Sequence, residues 1–69
     1  MTTLNEILNI GFQEHKINAP TFDEYTNGMV KVLVSSGIVV GVFIMEIKVN
    51  GVQDIEELSY ICKKVNARA

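Results

Sequence analysis

Seven of the twelve residues from Ile38 to Val49 are β-branched. Such side chains lose rotamer freedom in a helix and pack well on a pleated surface, so the segment is predicted as a strand. A strand that long is not stable alone, and its nearest partner is Val30-Lys31-Val32-Leu33-Val34. Ser35-Ser36-Gly37 then forms a three-residue hairpin loop with glycine at the left-handed position. A second helix competes with this hairpin. Thr21-Phe22-Asp23-Glu24 fits a capping box, and Phe22, Tyr25, Met29, Val32 and Leu33 follow at helical spacing, with Gly37 as the C-terminal cap. That helix would hold Asn27-Gly28 in its interior, where glycine costs about 1 kcal/mol relative to alanine. The hairpin is the preferred reading of residues 22–36, and the helix remains open.

The same region contains the longest uncharged run, 14 residues from Val32 to Met45. Gly37 and Gly41 make a GxxxG within it, a packing motif of membrane helices. A spanning helix needs about 20 apolar residues. Ser35 and Ser36 also interrupt this run. A buried strand is therefore expected rather than a membrane span.

Both ends of the chain read as helix. Thr3-Leu4-Asn5-Glu6 is a capping box, and Leu4, Ile7, Leu8, Gly11, Phe12 and His15 share one stripe at helical spacing. This first helix is expected to stop near Lys16, with Asn18 and Pro20 beyond it. After a break at Asn50-Gly51, Asp54 can cap a last helix whose apolar stripe is Ile55, Leu58, Ile61, Cys62 and Val65. Its acidic first turn and basic last turn, Lys63 and Lys64, complement the helix dipole. The expected fold is a small α+β domain spanning residues 1–69: helix, β-hairpin of two or three antiparallel strands, helix. The alternative is three helices with a strand or hairpin between the second and third.

With 69 residues there is room for one domain, and a domain of that size is marginally stable. Cys62 is the only cysteine, which excludes an internal disulfide and a cysteine-rich zinc site. Oligomerisation or docking on a partner remains as an outside source of stability. Six basic residues against eight acidic ones, a net charge of −2, lack the basic excess of a phosphate-gripping domain, so nucleic acid is an unexpected partner. Met1-Thr2-Thr3-Leu4-Asn5-Glu6 has no signal-peptide character, and a lone cysteine fits a reducing cytosol, so a cytoplasmic location is expected.

The chemistry-bearing residues are few. His15 lies in an apolar stripe with no carboxylate of its helix on the same face, which fits a partly buried histidine better than a base or ligand. Cys62 sits among core residue types and is expected to be an unreactive thiol. Asp54, Glu56 and Glu57 are explained by capping and the dipole, and Glu56 and Glu57 diverge by about 100° on a helix. Lys63, Lys64 and Arg68 form a short C-terminal cluster that reads as a solvated turn. There is no phosphate loop, nucleophile elbow, zinc motif or dinucleotide fingerprint. No enzyme activity, cofactor, metal or small-molecule substrate is expected.

The strand itself is the feature that points to a function. One face of Ile38–Val49 carries Val39, Gly41, Phe43, Met45, Ile47 and Val49, and the other Ile38, Val40, Val42, Ile44, Glu46 and Lys48. An antiparallel hairpin normally alternates apolar and polar, yet here alternation begins only at Glu46. Two helices with one apolar stripe each cover one face of a small sheet. Ile38, Val40, Val42 and Ile44 are therefore the expected interaction surface, for a protein partner or for self-association. In the competing reading, the loop Ile17–Gly28, with Phe22 and Tyr25, folds over that face.

The order of helix, strands and helix is similar to the double-stranded-RNA-binding domain. Val30-Lys31-Val32-Leu33-Val34 and Val39-Val40-Gly41 resemble its second and third strands. Where that family opens its last helix with phosphate-gripping lysines, this chain has Gln53, Asp54, Glu56 and Glu57. The order also resembles the small head–tail joining proteins of tailed phages. The leading expectation is a non-enzymatic interaction module: a homodimer, an assembly factor or an inhibitor of a larger partner. The alternative is a nucleic-acid binder with a double-stranded-RNA-binding-domain-like or winged-helix-like fold.

Overall fold

The computed structural model describes residues 1–16 and 21–67. In chain order the elements are α1 (Leu4–Asn9), β1 (Gln13–His15), β2 (Asp23–Asn27), β3 (Val30–Ser35), β4 (Ile38–Ile44), β5 (Ile47–Val49) and α2 (Ile55–Asn66). The strands form one antiparallel meander in the order β1-β2-β3-β4-β5. The domain is thus mostly sheet, with a short N-terminal helix and a longer C-terminal one. This corrects the two- or three-stranded hairpin expected above, and its three-helix alternative.

The first correction is at α1. Its capping box is present, with Thr3 and Glu6 exchanging backbone and side-chain bonds. The helix ends at Asn9 rather than near Lys16, because Gly11 adopts φ 101°. The Gly11 N–H then bonds Leu8 O at 3.2 Å and the Phe12 N–H bonds Ile7 O at 3.1 Å. These are the paired bonds of a Schellman motif, whose apolar contact joins Ile7 and Phe12, both buried. Gly11 is a helix terminator rather than part of the stripe, and Gln13–His15 starts the sheet.

The second correction concerns the turns. Residues 22–36 contain β2 and β3 joined at Gly28-Met29, not a helix. Gly28, at φ 62°, supplies the left-handed first position of a two-residue hairpin. The next loop is two residues, Ser36-Gly37, because Ser35 pairs with Ile38. The segment Ile38–Val49 is itself a hairpin that reverses at Met45-Glu46, between the paired Ile44 and Ile47. Val30–Ser35 and Ile38–Ile44 are accordingly the third and fourth of five strands, not the second and third.

Packing follows strand parity. In β3, Val30, Val32 and Val34 are buried and alternate with half-buried Lys31, Leu33 and Ser35. The core joins these valines to Ile7, Phe12, Tyr25, Val42, Leu58 and Cys62. Residues of α1 and α2 belong to this one cluster, so both helices cover the same sheet face. The N-terminal segment adds a short edge: Val39 N–H bonds Thr2 O and Leu4 N–H bonds Gly37 O, each at 2.9 Å. Among the described residues no helix is long and apolar enough to cross a membrane.

A register shift between Leu33 and Val34 explains the missing alternation in β4. Leu33 pairs with Gly41 and Val34 with Val39, which leaves Val40 as the extra residue of a β-bulge. The bulge changes which parity faces the helices. Val39 packs against the core before it, and Val42 and Ile44 after it. Apolar residues of both parities, Val39 before the bulge and Val42 and Ile44 after it, therefore share the inward face.

Candidate functional site

The sheet face opposite the helices is the candidate site. Strand alternation and register place His15, Glu24, Leu33 and Gly41 side by side across four strands, and Thr26, Lys31, Phe43 and Lys48 in the adjoining row. The second row is completed by Gln13 of β1.

Its apolar centre is built around a missing side chain. A Cβ added to Gly41 would lie 3.2 Å from Cε1 of Phe43 and 3.9 Å from Cδ1 of Leu33. Glycine within a strand costs order but permits this close approach. The Phe43 ring leans over the Gly41 backbone and beside Leu33. The Lys31 ammonium stands 5.3 Å from the ring centroid, within reach of a cation–π contact.

Beside this centre runs a chain of charges. Glu24 is only 9% exposed. A carboxylate so far from water requires partners, and it has two. Its Oε2 meets His15 Nδ1 from the neighbouring strand, and its Oε1 lies 3.9 Å from Lys31 Nζ. Lys31 in turn donates to both carboxylate oxygens of Glu46 at 3.0 Å. The chain runs His15, Glu24, Lys31, Glu46, and each charge neighbours an opposite or pairing group. Among the described residues no group of three or more His, Cys, Asp or Glu side chains could hold a metal ion.

The four residues expected to form the surface do not share a face. Val42 is 6% exposed and lies in the core. Ile44 packs against that core from the same side. Ile38 is half-buried and pairs with Ser35, and Val40, at the bulge, is 52% exposed. Leu33, Phe43 and Glu24 occupy the open face instead. The one local signal for it was Gly41, two residues before an aromatic on the same side of a strand.

The other candidates fall as follows. His15 is an exposed strand residue whose carboxylate partner comes from β2, not from its own element. Cys62 is buried, and burial pushes its thiol above the ordinary 9.0. Asp54 caps α2, accepting from Glu57 N–H at 2.9 Å, and Glu56 and Glu57 are exposed in the first turn. Lys63 and Lys64 lie in its last turn, with the Lys64 ammonium 5.5 Å from the Tyr60 ring centroid. Arg68 lies outside the described residues, as do residues 17–20 of the loop weighed as a cover. Of that loop, Phe22 is exposed, and Tyr25 is part of β2, buried on the helix side.

No protein-family model matches this chain, and neither does any curated protein or solved structure.

Proposed function

We propose that this chain is a non-enzymatic interaction module that pairs with a second copy through its open sheet face. The observation behind this reading is that α1 and α2 pack in one core cluster, while Leu33, Gly41 and Phe43 lie on the other side of the sheet. An antiparallel sheet can leave one face in water, but a face with an apolar centre gains from a cover, and a second sheet at about 10 Å is one of the standard solutions.

Three features favour a second copy as the cover. The face carries both signs, and His15, Glu24, Lys31 and Glu46 pair within one copy, so the face presents no block of like charge to repel a second copy. The net charge of −2 opposes association only weakly. A domain of 69 residues also gains stability from any apolar face it buries. Face-to-face contact is favoured over edge pairing, because both edge strands are three residues long and carry charge, Glu14 in β1 and Lys48 in β5.

The test is sedimentation equilibrium of the wild type and of Leu33→Glu over a wide concentration range, with circular dichroism of both. The expected result is a wild-type dimer and a folded, monomeric variant. Raising the salt should leave the dimer intact, since apolar association lacks the steep salt dependence of phosphate binding. A wild type that stays monomeric at the highest concentration, or a variant that dimerises equally well, overturns the proposal. Salt-sensitive binding of duplex RNA or DNA by the monomer would favour the nucleic-acid reading instead.

A further inference from the structure

Asn-Gly occurs twice in this chain, at Asn27-Gly28 and at Asn50-Gly51, and the fold treats the two copies differently. This dipeptide can rearrange without a catalyst. The glycine backbone nitrogen, unshielded because its residue has no Cβ, attacks the asparagine Cγ. An N–Cγ bond forms, the Cγ–Nδ2 bond breaks, and ammonia leaves with the proton lost by the backbone amide. Water then opens the five-membered imide. Cleavage at Cγ leaves an aspartate, and cleavage at the main-chain carbonyl leaves an isoaspartate with one more methylene in the backbone.

Asn27 is held against this reaction. Its Nδ2 donates to Ile10 O at 3.1 Å, and its Oδ1 accepts from Asn66 Nδ2 at 3.3 Å. The next two residues form the β2–β3 turn, clamped by a bond from Met29 N–H to Asn66 Oδ1 at 2.9 Å. Bringing the Gly28 nitrogen onto Cγ requires these bonds to open together. Asn50 has no such restraint. It is exposed, it follows β5, and among the described residues nothing hydrogen-bonds its side chain. Gly51 is exposed at φ 85°, with open space within 4 Å of where a Cβ would lie.

We infer that Asn50 is a site of spontaneous deamidation in the native protein and that Asn27, with the same sequence context, is protected by Asn66. The product places a new carboxylate in the segment that joins β5 to α2, beside the groove lined by Val40, Gly41 and Lys48. The isoaspartate form also lengthens the main chain of that link. The modification therefore changes the charge and the backbone length of that link together.

The test is incubation of the folded chain in mildly alkaline buffer, with the mass gain of about one dalton located by peptide mapping. Reaction at position 50 is expected to be at least about tenfold faster than at position 27, because the latter must await local opening. In denaturant the two rates should converge. Asn50→Ser should remove the fast phase and leave position 27 unchanged. Asn66→Ala, checked for retained circular dichroism, should accelerate position 27 alone. Equal rates at the two positions in the folded chain overturn the inference. So does an unreactive position 50 under conditions in which the denatured chain reacts.

Discussion

A Cβ built on Gly28 would lie 2.2 Å from Oδ1 of Asn66, which makes the two residues mutually exclusive with any larger side chain in the turn. Asn66 approaches so closely because its amide completes the β2–β3 reversal. It accepts from Met29 N–H at 2.9 Å and donates to Asn27 O at 3.1 Å. The last turn of α2 is thereby fastened to the sheet by polar bonds as well as by the Leu58 and Cys62 side chains.

Gly28→Ala is expected to destabilise the fold by about 2–4 kcal/mol, combining the left-handed backbone with loss of the Asn66 bonds. Urea denaturation measures this. In a double-mutant cycle, Gly28→Ala with Asn66→Ala should cost clearly less than the sum of the two single changes, because Asn66→Ala removes the obstructing atoms. Strict additivity would show that the close approach has no energetic weight.

Val42→Glu and Leu33→Glu change apolar residues at neighbouring register positions to the same charge, but on opposite faces. Val42 is buried in the core, so a carboxylate there lacks both water and a partner, and a loss of at least about 3 kcal/mol is expected. Circular dichroism should show Val42→Glu largely unfolded and Leu33→Glu folded. The reverse order would invert the assignment of the faces.

The Met45-Glu46 turn is built from two residues that both sit in the left-handed region, at φ 49° and 71°. Asparagine and glycine adopt that region far more readily. Met45→Asn is expected to raise stability by roughly 0.5–1 kcal/mol, since Met45 is exposed and its side chain contributes little packing. Glu46→Gly should gain less, because it removes the carboxylate that holds Lys31. Thermal denaturation of the two variants orders them.

Alkali should destabilise the protein. Cys62 is raised above 9.0 by burial. Tyr25 is raised above 10.0 by burial and by the charges of Glu14 and Asp23. Above the ordinary value of each group the unfolded chain has already lost its proton while the folded chain retains it. Stability is therefore full below pH 9 and declines as the pH rises through the ordinary thiol and phenol ranges. Cys62→Ala should flatten the first part of that decline. The same burial predicts slow thiol labelling in native buffer and fast labelling in denaturant, and equal rates would place Cys62 at the surface.

Local signals accounted for where α1 starts and for the whole of α2. The Thr3–Glu6 capping box, the Asp54 cap and the stripe from Ile55 to Val65 are interactions between residues three or four apart, which sequence spacing encodes directly. The β-branched composition of Ile38–Val49 likewise determined that it would be sheet, and Val30–Val34 its partner. The remainder depended on contacts between distant residues. Gly11 continues a helical stripe by spacing, and it ends the helix because Phe12 reaches the core with Ile7. Met45-Glu46 carries no turn signal. It reverses where pairing with β3 and β5 leaves it, with Met45 N–H bonded to Met29 O and Glu46 to Lys31. The open face was misplaced for the same reason. A period-two pattern assigns faces only while the register is unbroken, and one extra residue at Val40, fixed by pairing with Leu33 and Val34, moved Val42 and Ile44 into the core.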